Sequence, residues 1–189
     1  MFTNNYINAL RMINPANRDN KGYLPVKSVN GTTYYVGNYF NSSSPSNTET
    51  LYSFRIPSNV GVSYSTSSGG STTYYWVVGS GSTPATGNDY ILENRITSGI
   101  SGAVTKGTPT ILNNKYCISY TIAISNTSSE NKTIREIGYA QEMRVASSQG
   151  GSVSSGYQTM LMAHIVLPED VILAPTESVT IVVTIMADT

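Results

Sequence analysis

Residues 116–125 read Tyr116-Cys117-Ile118-Ser119-Tyr120-Thr121-Ile122-Ala123-Ile124-Ser125. Successive side chains of an extended chain point to opposite faces. Tyr116, Ile118, Tyr120, Ile122 and Ile124 therefore share one face, and Cys117, Ser119, Thr121, Ala123 and Ser125 share the other. A stretch that is apolar on one side and small or polar on the other is a half-buried strand. The end of the chain repeats the pattern, with Val179, Ile181, Val183 and Ile185 opposite Thr180, Val182, Thr184 and Met186. Three further β-type runs, 134–139, 159–167 and 171–173, lie between these two, separated by NTSSENKT, by SSQGGSVSSG and by short polar breaks. Closely spaced strands with turn signals between them predict an all-β, antiparallel β-sandwich, Ig-like or jelly-roll-like, in which each sheet buries one face. A parallel α/β fold would need helical stretches between the strands, and the sequence has none.

The N-terminal half reads the same way in shorter pieces. YLPVKSV, TTYYVGNYF and TLYSFRI are β-type runs punctuated by Gly, Pro, Asn and Ser, and Asn30-Gly31 between the first two predicts a two-residue hairpin turn. Residues 63–73 are low-complexity and read as a loop tip. The run TYYWVVGSGSTPATGNDYILE predicts a strand that breaks at Gly79. Tyr6, Leu10 and Ile13 stand at helical spacing before Pro15, so residues 1–22 are expected to form an N-terminal arm or short helix. Residues 23–189 form the sandwich region, as one unit or as two β subdomains, 23–98 and 109–189. Residues 98–109 are then either a linker or a long β–β connection.

Composition narrows the function classes. Only 12% of the 189 residues are charged, and eleven basic residues balance eleven acidic ones. That removes the electrostatic footprint expected for a nucleic-acid or anionic-membrane partner. It also weakens the self-repulsion that keeps chains apart, so a homo-oligomer is compatible with this surface. No stretch approaches the roughly 18 apolar residues of a spanning helix. The first residues lack a cationic segment followed by an apolar run, so synthesis in the cytoplasm is expected.

Catalytic signatures are sparse. His164, the one histidine, lies in MLMAHIVLP, where strict alternation groups it with Met160, Met162 and Val166. It reads more simply as a strand residue filling a gap or facing an interface than as a base, since no nucleophile motif accompanies it. Cys117, the one cysteine, reads as a small apolar strand residue. The acids Asp89, Glu93, Glu136, Glu142, Glu169 and Asp170 are scattered, with no pair at the spacing of glycoside hydrolysis. No catalytic residue, metal site or cofactor is expected, and Gly79-Ser80-Gly81-Ser82 reads as a structural turn and not a phosphate loop. The unusual feature is fourteen tyrosines against three phenylalanines. Tyr34, Tyr35, Tyr39, Tyr74, Tyr75 and Trp76 are the candidates for an interface or for stacking on sugar rings.

Two motifs carry a family resemblance over roughly the last 110 residues. The segment from Gly79 to Glu93, GSGSTPATGNDYILE, is similar to a GxGxTPxTxxDYxLE segment of tailed-bacteriophage virion proteins. Residues 133–139, 161–167 and 173–185 resemble the IxEIGL, LxARxVL and xLxPGESLTVTYTI ending of the same group, with Tyr139 in place of Leu, His164 in place of Arg and Thr176 in place of Gly. The resemblance implies a non-enzymatic virion structural protein, carried on the capsid or at the neck or tail among other virion proteins. Two alternatives accompany it: a receptor- or carbohydrate-binding module for a host-surface glycan, and a self-assembling extracellular fibre subunit that uses strand addition.

Overall fold

The structure, a computed structural model, describes residues 1–13, 24–36, 74–145 and 157–188. They form one helix, α1 (Asn4–Ile13), and nine strands: β1 (Leu24–Lys27), β2 (Thr33–Val36), β3 (Tyr74–Gly79), β4 (Ile100–Lys106), β5 (Thr110–Leu112), β6 (Lys115–Asn126), β7 (Lys132–Arg144), β8 (Tyr157–Leu173) and β9 (Ser178–Asp188). Every pairing is antiparallel. The first sheet has the order β3-β7-β8. In the second, β6 is central, with β4 and β5 end to end along one side and β9 along the other. This is the expected all-β sandwich with a short N-terminal helix.

Alternation builds the core between the sheets. Tyr120, Ile122 and Ile124 of β6 are buried, and they join Trp76 and Val78 of β3, Ile134, Ile137 and Tyr139 of β7, Met160 and Met162 of β8 and Val183 of β9 in one cluster. Full burial of each isoleucine contributes roughly 1.5–3 kcal/mol. Tyr116 belongs to the same face of β6 but lies past the end of the core and is exposed. The β1–β2 hairpin adds Val26 and Val36 to the cluster, and α1 adds Ala9. Asn5 stitches these parts together, donating from Nδ2 to the carbonyls of Lys27 (2.8 Å) and Leu161 (3.1 Å) and accepting from the Lys27 amide (2.7 Å).

Four local expectations are corrected. The Asn30-Gly31 turn is a three-residue loop, not a two-residue one: the Ser28 amide donates to Thr32 O, the Gly31 amide to Ser28 O, and Gly31 adopts φ 85°, the left-handed conformation that glycine supplies in such loops. Residues 100–106 are a strand, not a linker, paired along β6 from Ile100↔Asn126 to Lys106↔Tyr120. The runs 159–167 and 171–173 are parts of one strand, β8, with a register irregularity opposite Arg135 that accommodates Pro168, which has no amide to give the ladder. A second irregularity sits between Tyr139↔Ala163 and Ala140↔Leu161. The extra residue there reverses the alternation, so that Met160 and Met162 face the core while His164 turns to the outer face of the first sheet with Leu161.

Candidate functional site

That reversal creates the main polar site. On the outer face of the first sheet, Gly138 pairs with both Val77 and His164, and Glu136 pairs with Gly79 and Val166. The chain leaving β3 folds back over this face through residues 80–96. Leu92 of that loop packs with Tyr75, Val77, Ala140 and Leu161 in a second, smaller apolar cluster. Gly138 makes the close approach possible: a Cβ there would meet Leu161 Cδ1 at 2.7 Å and Leu92 Cδ2 at 2.9 Å. Gly138 thus serves as clearance between the sheet and the loop above it.

Polar bonds anchor the loop beside the apolar cluster. Glu136 is fully buried. Its Oε1 accepts from the amides of Gly81 (3.1 Å) and Asn94 (2.8 Å), and its Oε2 from the Glu93 amide (3.0 Å) and His164 Nε2 (3.0 Å). His164 Nδ1 lies 2.6 Å from Asp89 Oδ2, and Asp89 also accepts from the amide (2.8 Å) and hydroxyl (2.6 Å) of Thr86. Glu93 closes the next turn by accepting from the amides of Ser82 and Thr83, both at 2.9 Å, and from the Thr83 hydroxyl. Gly81 has to be glycine for the same reason as Gly138, since a Cβ would sit 2.8 Å from Glu136 Oε1 and 2.5 Å from Glu93 Cβ. At Gly79 a Cβ would collide with Glu136 Oε1 as well.

The protonation states follow from the partners. Both ring nitrogens of His164 face carboxylate oxygens, which accept when ionised, so the geometry favours the imidazolium, the form that donates to both. Burial pulls the His164 pKa down, but the hydrogen bonds to Glu136 and Asp89 and the charges of both outweigh it, and the net shift is upward. Burial pushes Glu136 up, and its bonds to His164, Asn94, Glu93 and Gly81 more than reverse that, leaving it below the usual carboxylate range. Asp89 is likewise lowered, burial being outweighed by Thr86 and His164. Glu93 is lowered chiefly by the Thr83 amide and hydroxyl.

A cavity of about 270 Å³ opens at this cluster, with Asp89, Glu93 and His164 in its lining beside Thr83, Thr86 and Tyr90. Glu136 spends its oxygens on four donors, and His164 in its charged form spends both ring protons on carboxylates. In that form the arrangement fastens the loop to the sheet. Among the described residues no group of three or more His, Cys, Asp or Glu is placed to hold a metal ion.

The tyrosine-based candidates are placed elsewhere. Trp76 and Tyr75 lie on opposite faces of β3 and are each 3% exposed. Trp76 sits tilted against Tyr120 and Tyr139, with ring centroids 5.8 Å apart in both pairs. Neither ring offers a face for stacking on a sugar, because both sides of β3 are covered: one by the second sheet, the other by residues 80–96. Tyr34 and Tyr35 are half-buried on β2, Tyr74 is the first residue of β3, and Tyr39 lies outside the described residues. The His164–Asp89–Glu136 cluster escaped the strict alternation pattern because one inserted residue in β8 decides which way His164 points. The signal that could have found it was the pair of motif segments, whose acids and glycines meet here. In comparisons with family models, curated proteins and solved structures, nothing matches this chain.

Proposed function

We propose that this chain is a non-enzymatic structural subunit of a bacteriophage particle, carried on the capsid surface or at the neck or tail, where it contacts other virion proteins and further copies of itself. The observation that carries the reading is a convergence. The segments that resemble tailed-phage virion proteins supply Gly79, Gly81, Asp89 and Glu93 from the first motif, and Glu136, Gly138, Leu161 and His164 from the second, to one contiguous arrangement of bonds and close contacts. The resemblance therefore concerns a single packed unit rather than scattered matches.

The positions at which the chain departs from the pattern fit the same unit. His164 stands where an arginine is usual and plays a part that arginine chemistry also serves, a cation joining two carboxylates. Tyr139 replaces a leucine at a buried site and its hydroxyl donates to Gln141 Oε1 at 2.9 Å. A sparsely charged surface, with a central polar cluster devoted to holding the chain together, suits a scaffold more than a catalyst.

Peptide mass spectrometry of purified particles tests the reading. Peptides of this chain are expected at a stoichiometry of several copies per particle, and particles that lack them would refute it.

A further inference from the structure

The free edges of the two sheets are treated differently. On one side of the second sheet the edge is split into the seven residues of β4 and the three of β5, with Lys106, Gly107 and Pro109 at the break. The edge of β8 is capped by the N-terminal residues: the Met1 amino group and the His164 amide exchange bonds with His164 O and Met1 O, and the Thr3 amide donates to Met162 O. Beyond that cap, β8 carries Pro168, Glu169 and Asp170. Short strands, proline, charge and a covering segment are the devices that keep an edge from pairing with another chain.

Among the described residues, β9 has none of them. Residues 178–187 contain no charge and no proline, and the ladder to β6 runs through eleven consecutive pairs without a bulge. No described residue pairs with its outer edge. Val182, at the middle, is 60% exposed. Beside this edge, a cleft of about 410 Å³ between β8 and β9 is lined by Trp76, Ile165, Leu167, Ile181, Val183 and Ile185. These are inward-facing residues of the sandwich, and no described strand closes it along this side.

We propose that β9 pairs with β9 of a second copy of this chain, antiparallel, about a two-fold axis near Val182, so that the second sheet runs continuously through both copies. The segment is complementary to itself when reversed. Centred on Val182, it sets Thr180 opposite Thr184 of the second copy on the outer face, and Ile181 opposite Val183 and Val179 opposite Ile185 on the inner face. Like meets like from Val179 to Ile185, no charge lies within that span, and such an isologous contact closes after two copies. The added strand extends the sheet past the cleft, with its apolar face on the cleft side. Strand addition of this kind draws affinity from main-chain hydrogen bonds and register from alternate side chains. The pairing does not depend on the particle reading: a dimer in solution together with particles free of the chain would keep the one and remove the other.

Sedimentation of the full chain tests it with Val182→Lys and Val182→Glu, which set like charges against each other at the axis. The unaltered protein is expected at twice the chain mass, each variant alone at the chain mass, and an equimolar mixture of the two back at twice the mass. A monomeric unaltered protein, a dimeric lysine variant, or a mixture that stays monomeric would each overturn the proposal. Should a variant fail to fold, amide exchange in the unaltered protein decides: protection of residues 178–187 that rises with concentration supports the pairing, and protection independent of concentration refutes it.

Discussion

The outer faces of the two sheets show two ways of finishing a β-sandwich. The first sheet is covered by its own chain: residues 80–96 lie across it and hide Tyr75, Val77, Ala140 and Leu161 beneath Leu92. Among the described residues nothing covers the second sheet, whose outer face carries Ser119, Thr121, Ser125, Ser178, Thr180 and Thr184 beside the exposed Val182 and Met186, with direct bonds such as Ser119–Thr184 (2.9 Å) and Ser125–Ser178 (2.7 Å). Most of such a face can be built from small hydroxyl side chains that water shares. A covered face made of loop must satisfy the loop's amides out of reach of water, and here a buried glutamate and a histidine take that task. Burying them costs desolvation that is recovered only if every partner is present, which is why the covered face is the more fragile of the two.

The largest effect should follow from removing the anchor. Glu136→Ala leaves the amides of Gly81, Glu93 and Asn94 without their acceptor and His164 with one carboxylate. Breaking a buried charge pair costs roughly 3–5 kcal/mol, to be read as a shift of the denaturant midpoint. Gly81→Ala should come next, at about 1–3 kcal/mol, because the new methyl must displace Glu136 or Glu93.

The pH dependence separates the faces further. The raised pKa of His164 means that its contribution is complete below its ordinary value of about 6.5 and is lost as pH rises through the folded value. The lowered pKa values of Glu136 and Asp89 mean that theirs is complete above about 4.5 and is lost as pH falls through the folded values. Stability should therefore be greatest between about pH 4.5 and 6.5, as measured by thermal melts across that range. Other ionisable groups facing the cluster are Glu93 and the Met1 amino group. His164→Arg keeps a cation at all these pH values and should remove the decline on the alkaline side.

The smallest effect belongs to the second sheet. Thr176, in the turn before β9, has φ 68°, a conformation that suits glycine and strains a β-branched residue. Thr176→Gly should raise stability by about 1 kcal/mol, seen as a higher melting temperature. This is also where the chain departs from the glycine of the motif that it resembles, so the sequence difference marks a strained turn.

The fold was legible because alternation is periodic and long. β6 and β9 follow the pattern that residues 116–125 and 179–186 announce, and Val183 is buried while Val182 is exposed, as the period requires. The site was not legible for a related reason: period-two reasoning holds only until a residue is inserted. The irregularity near Ala163 moved His164 to the other face, and acids separated by up to 47 positions in sequence, Asp89 and Glu136, came within bonding distance of it. Trp76 and Tyr75 failed as exposed stacking residues because aromatic clusters on a strand give no sign of which faces will be covered, and β3 is covered on both. The glycines gave the clearest hint, since Gly79, Gly81 and Gly138 mark the places where backbone and loop approach too closely for any side chain.

The most direct test of this division between a covered and a bare face is the exchange of the Gly81, Glu93 and Asn94 amides with solvent deuterium near pH 6, in the unaltered protein and in Glu136→Ala. The account predicts slow exchange at all three in the unaltered protein and rates approaching those of a free loop in the variant, with β6 amides still protected. Equal rates at the three loop amides in both proteins would show that the loop is held by something other than Glu136 and would contradict it.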